Sequence, residues 1–544
     1  MTEAREITDL TDPPTDLDLA TAGTEAAPER GPRRLTSWRA VDTAALALLM
    51  VASFGLRVGD LDGPLWIDEG ISVGIASHSL AEIPTLLARD GSPPLYYLLL
   101  HGWMAVFGSS EPATHTLSLA LSLVTVPVAL WAGWSLFGRR IGWILAALFA
   151  FSPYVSYFAT ETRMYALVML AALVATASFL HAFAYGRRRY RWAFAVSLVM
   201  VLYSHNWGIW LAAAAAAALV PCAAASSDRR RVWRDAATCF GLAGLAYLPW
   251  VPTLVFQAAH TGAPWSPQPV PREMISLLAD VLGDPHERVL VALLLVAGPA
   301  LWASLRRGKV RPVVVAVATL AAVPVVLGWI GAQVSPSWAP RYLVVVTPAV
   351  LLLAALGLSW AGARGLVALA LIAALWVQPF ARLSGVRPSG VLSGKATVRP
   401  LARAAAPGLE PGDLVIAMQM EEVPVLAYYL PRGLRFATAT GPVLEPGVAD
   451  WRDALDRTAA TTVATALLPQ LDRAGVGTDV LLVCAQPGTG PMSLPWFALM
   501  VRHCAEWRTA LEADARFAPV PVSSGGPPPA EGGRPVLQFT KTGQ

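Results

Sequence analysis

Long runs of apolar residues without a charge are the feature that most constrains how this chain can fold. A helix of about 20 such residues spans the hydrocarbon core of a membrane, which is about 30 Å thick. Hydrophobic residues make up 55% of the 544 residues and charged residues only 14%. We therefore predict an α-helical polytopic membrane protein with about eleven transmembrane helices. They are expected at 41–57, 113–137, 141–160, 164–186, 192–204, 207–225, 236–256, 289–305, 312–332, 343–361 and 365–381.

Arginine clusters indicate which connections between these helices face the cytoplasm. They lie at 139–140, 187–191, 229–234 and 306–311, with the single Arg364 after them, and fall at every second connection. By the positive-inside rule these connections are cytoplasmic. Residues 1–38, which contain many acids and prolines, are then expected to form a disordered cytoplasmic tail. The predicted location is the cytoplasmic membrane.

The opposite connections are expected outside, and the first of them, 58–112, is long. The topology closes only if its apolar stretch 95–107 does not cross the membrane, and about 13 residues are too few for a span. We predict a helix in the outer interface, with Tyr96, Tyr97, His101 and Trp103 at the level of the lipid headgroups.

An odd number of spans places the residues after 381 outside the cell, and here the sequence pattern changes. Predicted strands alternate with predicted helices, which indicates a small α/β domain at 382–520 behind the transmembrane domain 39–381. The strands are expected at 414–418 and 479–485, and the helices at 423–430, 451–457, 469–474 and 496–515. A flexible tail is expected at 521–544. No glycine-rich phosphate loop follows the first strand, so nothing in this domain demands a nucleotide. No nucleic acid is expected as a partner.

Two cysteines, Cys484 and Cys504, lie in this predicted domain. An oxidising compartment would permit a disulfide between them. Their positions in the sequence do not decide whether the bond forms.

Adjacent carboxylates at Asp68 and Glu69 are the first candidates for chemistry. Such a group could act as a general base toward an attacking hydroxyl, or the pair could stabilise the positive end of a short helix. Asp90, which precedes a Gly-Ser-Pro-Pro turn, could bind a divalent metal ion or an acceptor, or could be a turn residue only.

Two basic positions are predicted at the same outer face. Arg163, close to Glu161 and Tyr165, could bind a lipid phosphate through two hydrogen bonds, or could pair with Glu161 to anchor two helix ends. Arg341, next to Tyr342 at a helix start, could also hold a phosphate. Alternatively, its side chain could simply extend from the membrane to the aqueous interface, where its charge is hydrated. His205 interrupts an apolar stretch and could be a metal ligand, a hydrogen-bond donor or neither.

The order of several short motifs resembles the GT-C class of membrane glycosyltransferases, in particular bacterial relatives of the protein O-mannosyltransferases and the aminoarabinose transferases. The likeness covers roughly residues 40–380. It consists of Trp66-Ile67-Asp68-Glu69, Asp90-Gly91-Ser92-Pro93-Pro94-Leu95-Tyr96-Tyr97 leading to Phe107-Gly108 and Glu111, Phe151-Ser152-Pro153, Glu161-Thr162-Arg163-Met164-Tyr165-Ala166-Leu167, and Pro340-Arg341-Tyr342-Leu343.

The resemblance implies a GT-C fold and an inverting transfer of a sugar, mannose above all, from a polyprenyl-phosphate donor to an extracytoplasmic protein, glycan or glycolipid acceptor. It implies that Asp68 is the base, that Asp90 binds metal or acceptor, and that Arg163 and Arg341 contact phosphate. Many relatives have His where this chain has Ser92, and often Arg where it has His115. The first difference weakens a metal site and the second removes one phosphate ligand.

We predict a polyprenyl-phosphate-sugar-dependent glycosyltransferase with Asp68 and Glu69 as catalytic residues. The predicted substrate-binding residues are Asp90, Tyr96, Glu161, Arg163, Tyr165, His205, Arg341 and Tyr342, and the candidates for a divalent metal ion are Asp90 and His205. The alternative functions are a lipid or solute transporter or flippase, and a non-catalytic membrane scaffold. Many transporters are built from repeated halves, and this sequence shows no internal repeat that would favour that alternative.

Overall fold

The computed structural model describes residues 39–284, 286–306, 311–381, 398–484, 493–520 and 536–543, with the side chains of 377–381 left aside. The predicted tail 1–38 lies outside these residues. The chain divides into two compact units, Met1–Leu46 and Ala47–Gln544. The transmembrane helices from residue 47 onward and the C-terminal domain therefore belong to one unit.

Helices account for most of the described residues before residue 382. The described helices are α1 (Ala40–Val58), α2 (Ile67–Ala76), α3 (Ile83–Asp90), α4 (Leu95–Phe107), α5 (Glu111–Phe137), α6 (Arg139–Phe151), α7 (Pro153–Ala159), α8 (Tyr165–Phe179), α9 (Arg191–Ser204), α10 (Gly208–Ala225), α11 (Arg229–Tyr247), α12 (Val251–His260), α13 (Glu273–Val281), α14 (Arg288–Arg306), α15 (Arg311–Val334), α16 (Thr347–Trp360) and α17 (Ala363–Ala381). A π-helical turn extends α8 to Ala184, and a 3-10 turn joins α11 to α12.

Several of these helices are long and apolar enough to cross a membrane. Within the described residues seven helical segments satisfy both conditions, and the pair α6 and α7, bent by 56°, would make an eighth. Exposed side chains such as Leu294 and Leu295, which are 62% and 72% accessible, give these helices apolar outer faces. Large apolar surfaces of this kind require a non-aqueous environment. The protein is a polytopic membrane protein, as the sequence predicts.

The other three predicted spans coincide with shorter helices. Segment 192–204 corresponds to α9, with 14 residues, and 343–361 corresponds to α16, also with 14 residues. Segment 365–381 corresponds to α17, of which the described apolar part ends at Trp376. The helix predicted at 95–107 is α4, with the bounds expected, but Tyr96 and Tyr97 are fully buried in the protein. Their predicted position at the lipid headgroups is therefore wrong.

The C-terminal residues form a domain with a sheet of six strands in the described part. The strands are β1 (Leu414–Ala417), β2 (Arg435–Thr438), β3 (Gly441–Val443), β4 (Asp479–Val483), β5 (Phe517–Val520) and β6 (Val536–Lys541), and the helices are α18 (Arg399–Ala405), α19 (Val423–Tyr429), α20 (Ala454–Ala459), α21 (Leu468–Asp472) and α22 (Pro495–Ala513). The strand order is β3-β2-β1-β4-β6-β5. Strands β2, β1 and β4 are parallel, whereas β3, β6 and β5 join as antiparallel strands.

Two features of this domain differ from the sequence predictions or complete them. Residues 536–541, expected in a flexible tail, form β6 between β4 and β5. The strand pairs because Leu537 and Phe539 add apolar side chains to the core beneath the sheet. Cys484 and Cys504, which the sequence left open, are joined by a disulfide between the end of β4 and α22.

The domain docks on the first long connection through a small set of polar contacts. The backbone N–H of Leu65 donates to the Tyr429 hydroxyl at 2.8 Å, and that hydroxyl is bonded to Glu111. Arg399 reaches the same Glu111 carboxylate at 2.9 Å. Arg89 pairs with Glu445 at 2.8 Å at the exposed rim. These contacts hold α2 against the C-terminal domain.

Two glycines of α2 allow this close approach. A Cβ atom built on Gly70 would lie 2.5 Å from Val425 Cβ, and one built on Gly74 would lie 2.0 Å from the carbonyl oxygen of Gly447. Both distances are far below van der Waals contact. A larger residue at either position would push α19 or the loop at Gly447 away from α2.

We expect the substitution Gly74→Ala to loosen the C-terminal domain from α2 and to destabilise the protein by roughly 1–3 kcal/mol, the usual cost of overpacking a tight contact. Thermal unfolding of the purified protein in detergent, together with limited proteolysis of the C-terminal domain, measures this. Gly55→Ala is the matched control, because Gly55 is also helical and has no atom within 4 Å of the added Cβ. Equal stability of the two variants would contradict the docking role of Gly74.

Candidate active site

Helix α2 brings the first carboxylate pair into contact with residues from distant parts of the chain. It begins after Trp66, and Asp68 and Glu69 occupy its first turn. Because successive side chains of a helix point about 100° apart, the two neighbouring acids face different surroundings. Each has a different set of partners.

Asp68 faces two guanidinium groups. Its Oδ2 atom lies 3.4 Å from Nη2 of Arg341 and 3.9 Å from Nη2 of Arg163. Nη1 of Arg163 also approaches the backbone carbonyl of Asp68 at 3.4 Å and the hydroxyl of Ser72, one turn further along α2, at 3.2 Å. The three charged side chains are mostly buried, with 10–22% of the two arginine side chains and 17% of the Asp68 side chain exposed.

Glu69 is instead fully occupied by the protein. Its Oε1 atom accepts from the backbone N–H of Thr162 at 2.7 Å and lies 2.9 Å from Nε2 of His115, while Oε2 accepts from the backbone N–H of Trp66 at 3.1 Å. Only 2% of the residue is exposed. These contacts tie α2 to α5 and to the turn before α8, so Glu69 helps to position α2. Its predicted catalytic role stays a prediction.

Glu161 and Trp66 support the same arrangement from the side of α8. The indole N–H of Trp66 donates to Oε1 of Glu161 at 2.9 Å, and Ser118 of α5 bonds the Glu161 backbone carbonyl at 2.5 Å. The guanidinium of Arg341 lies 5.7 Å from the ring centroid of Trp66. Glu161 therefore orients Trp66, which precedes Asp68 in the chain.

A tyrosine bridges the second predicted acid to the same arginine. The Tyr97 hydroxyl lies 3.1 Å from Nη1 of Arg163 and 3.4 Å from Oδ2 of Asp90. Burial raises the pKa of Asp90, and the positive charge of Arg163 opposes that rise. The structure places Tyr97, and not the predicted Tyr96, in this chain of contacts.

His205 is a neutral ring that lies near the two arginines. Its Nδ1 accepts from the backbone N–H of Trp207 at 3.1 Å, so the proton of the neutral imidazole is on Nε2. Burial and the charges of Arg163 and Arg341 lower the pKa of His205 to about 3. The ring is 4.8 Å from that of Tyr342 and 6.2 Å from that of Tyr165. His205 can therefore donate a hydrogen bond at neutral pH but carries no charge.

The described residues hold no group of three or more His, Cys, Asp and Glu side chains that could bind a metal ion. Asp90 contacts Tyr97, and His205 accepts from Trp207 through Nδ1. Neither predicted metal ligand is accompanied by the further donors that a divalent ion requires.

Both arginines retain donors for a ligand. Nε of Arg163 and Nε of Arg341 are buried, and neither has a hydrogen-bond partner among the described residues. A buried N–H group without a partner is costly, and a guanidinium suits an oxyanion with two oxygens in one plane. Sequence reasoning found both arginines but missed Ser72 and Trp265, whose ring centroid lies 4.8 Å from the Arg341 guanidinium. Only the i+4 spacing from Asp68 could have indicated Ser72.

A large apolar cavity lies within the helical part of the protein. It has a volume of about 740 Å³ and lies among α13, α14, α15 and α16. Leu343, the second residue after Arg341, lines it together with Leu277, Val281, Val346 and Leu353. Its apolar lining can accept a long hydrocarbon chain.

We expect Glu69→Ala to destabilise the protein by roughly 3 kcal/mol or more, because it removes the buried acceptor of three hydrogen bonds. Thermal unfolding measures this, with Glu410→Ala as the control because that side chain is exposed. A Glu69→Ala protein as stable as the wild type would contradict the positioning role.

The overall fold is similar to that of several solved structures. No family model and no curated protein sequence matches this chain. Solved structures do match: ArnT from Cupriavidus metallidurans has a TM-score of 0.59 at 17% identity, with 92% of this chain and 98% of that chain covered. The archaeal oligosaccharyltransferase AglB from Archaeoglobus fulgidus has a TM-score of 0.54 at 11% identity, with 89% and 73% covered.

A third structure is the arabinofuranosyltransferase AftD from mycobacteria, with a TM-score of 0.50 at 16% identity and 92% of this chain but 40% of that chain covered. One structure of ArnT holds undecaprenyl phosphate, and the AglB structure holds a dolichol-phosphate and an inhibitory peptide. These neighbours are GT-C glycosyltransferases. The chain described here has the GT-C fold, as the sequence motifs predict.

Proposed function

We propose that this protein is an inverting glycosyltransferase that moves a sugar from a polyprenyl-phosphate donor to an acceptor hydroxyl. One observation carries the proposal: the Asp68 carboxylate lies between two buried arginines whose Nε–H groups have no partner among the described residues. A base and a pair of cations are what this reaction needs at one point in space.

The chemistry follows from these positions. Asp68 accepts the proton of the acceptor hydroxyl as its oxygen forms a bond to the anomeric carbon of the sugar. The bond from that carbon to the phosphate oxygen breaks, and the phosphate leaves with the electron pair. Arg163 and Arg341 stabilise the resulting negative charge through fixed N–H donors in a site with little water. The phosphate needs no proton donor.

Asp68 and the donor phosphate would bind the same two arginines, so donor binding changes the surroundings of Asp68. In the structure the guanidinium groups are the nearest countercharges of Asp68. A phosphate that takes their N–H donors competes with Asp68 for the two arginines and leaves the carboxylate available to the acceptor hydroxyl.

The apolar cavity supports a lipid-linked donor. An isoprenoid tail of low polarity would occupy the space between α13 and α16, with its phosphate beyond Leu343 at Arg341. The fold similarity to proteins solved with undecaprenyl phosphate and with dolichol-phosphate supports the same donor class. We propose mannose as the sugar, from the resemblance to the protein O-mannosyltransferases.

We also propose the cytoplasmic membrane as the location, with the N-terminus in the cytoplasm and the site and C-terminal domain outside. The arginine clusters support this orientation. The Cys484–Cys504 disulfide supports it as well, because such bonds persist in oxidising compartments.

We expect Asp68→Asn to lower the rate of transfer by about 10³-fold or more while the protein still inserts and folds, because the amide cannot accept the proton. The measurement is the loss of radiolabel from polyprenyl-phosphate-mannose incubated with membranes, compared with the arabinose-linked lipid. Glu445→Gln is the control, since it removes a carboxylate only from an exposed ion pair. Transfer at the wild-type rate by Asp68→Asn would exclude this base, and lipid that moves across the membrane without losing its sugar would favour the flippase alternative.

Arg341→Lys tests the phosphate contact. We expect the KM for the donor lipid to rise about tenfold or more, because lysine keeps the charge but loses the planar pair of donors. Steady-state kinetics with varied donor gives the result, with Arg89→Lys at the exposed rim as the control. An unchanged KM for the donor would contradict phosphate binding by Arg341.

A further inference from the structure

The edge of the C-terminal sheet meets the helix that holds Asp68. Strand β1 lies between two parallel neighbours and ends at Ala417, and the chain then forms a 3-10 turn at Met420–Glu422. This turn packs against α2. In open sheets with parallel strands, ligands bind just beyond the carboxyl ends of the strands. Here that position faces the catalytic helix.

Three tryptophans connect this edge to the arginines, and we name them the tryptophan cluster: Trp265, Trp451 and Trp496. Trp265 stacks with Arg341, their separation being 4.8 Å from guanidinium to ring centroid. Trp265 and Trp451 both pack against the buried core formed by Met420 and Trp496, and the rings of Trp451 and Trp496 are 5.6 Å apart. A molecule bound here would therefore lie within reach of both the phosphate-binding arginine and the C-terminal domain.

Gln419 and Trp496 each place at this edge a buried polar atom that has no hydrogen-bond partner among the described residues. They are the carbonyl Oε1 of Gln419 and the indole Nε1–H of Trp496, in side chains that are 4% and 1% exposed. One is an acceptor and the other a donor. Leaving both without a partner is costly, so their retention at this edge indicates a ligand that supplies both functions.

Hydroxyl groups have this double character, since each can donate and accept at once. A saccharide presents several of them together with apolar C–H faces, which pack on indole rings. A peptide that adds to a sheet uses the backbone of an edge strand, and this site presents side chains at strand ends instead. An isoprenoid chain has no group for Gln419 or Trp496.

We propose that the carboxyl edge of the C-terminal sheet, with Gln419 and the tryptophan cluster, binds the acceptor, and that the acceptor is a carbohydrate. This inference rests on the proposed function. The bound sugar presents a hydroxyl across Trp265 toward Asp68, and the C-terminal domain therefore selects the acceptor while the helical domain holds the donor.

The experiment is calorimetric titration of the purified full-length protein with soluble manno-, arabino- and gluco-oligosaccharides and with a peptide rich in serine and threonine. We expect saturable binding of at least one oligosaccharide and none of the peptide. Trp496→Phe keeps the ring but removes the N–H donor, and Gln419→Leu removes the amide. Each should weaken the binding of that oligosaccharide by about tenfold, as expected for one buried hydrogen bond.

The matched control is Trp507→Phe, the same change on the same helix α22 but within the opposite core that contains Ile416 and Phe517. It should bind as the wild type does. A second readout separates recognition from folding: Trp496→Phe should raise the KM for the oligosaccharide acceptor and leave the KM for the donor lipid unchanged.

Several results would overturn the inference: no oligosaccharide binds the wild type, the peptide binds instead, or Trp496→Phe and Trp507→Phe have equal effects. These outcomes leave the proposed function intact, because loss of label from the donor lipid and its dependence on Asp68 are measured without any added saccharide. Conversely, saccharide binding could depend on Gln419 and Trp496 in a protein that transfers no sugar. That result would support the binding site and contradict the proposed glycosyltransferase function.

Discussion

The structure depends on the burial of one carboxylate between two guanidinium groups. Charges taken out of water are stable only with close partners of opposite sign, and Asp68 has Arg341 at 3.4 Å and Arg163 at 3.9 Å. The three residues come from the first connection, the start of α8 and the turn before α16. Their mutual attraction therefore fixes the relative positions of three distant segments, and any ligand of the arginines must compete with Asp68.

Helix α2 is the element through which this constraint reaches the rest of the protein. Its four faces have four different neighbours, and the residues of each face follow from the helical repeat. Asp68 and Ser72 meet the arginines, and Glu69 holds α5 and α8. Gly70 and Gly74 meet the C-terminal domain, and Ile71 and Ile75 enter the core of the helical domain. A displacement of the C-terminal domain therefore moves Asp68 as well.

Polar and apolar surfaces lie on different sides of Arg341. The apolar cavity beyond Leu343 suits a lipid tail, whereas the sheet edge beyond Ala417 has buried hydrogen-bonding groups and indole rings. Arg341 lies between the two, stacked on Trp265. The reacting atoms would meet at the boundary, where Asp68 is placed.

The sequence by itself determined the helical membrane architecture, the central strands of the C-terminal domain and the identity of the charged residues, because hydrophobic periodicity and the cost of charges near a membrane act locally. It could not show that the adjacent acids Asp68 and Glu69 have different surroundings, because these arise from distant residues such as His115, 46 positions from Glu69, and Thr162, 93 positions from it. It also could not predict β6, since a short strand after a long connection is stabilised only by the sheet it joins. The tertiary structure alone decided that Tyr97 in place of Tyr96 reaches Arg163, that Cys484 and Cys504 are bonded, and that the turn after β1 packs against α2. Each depends on contacts between distant segments, which no local pattern encodes.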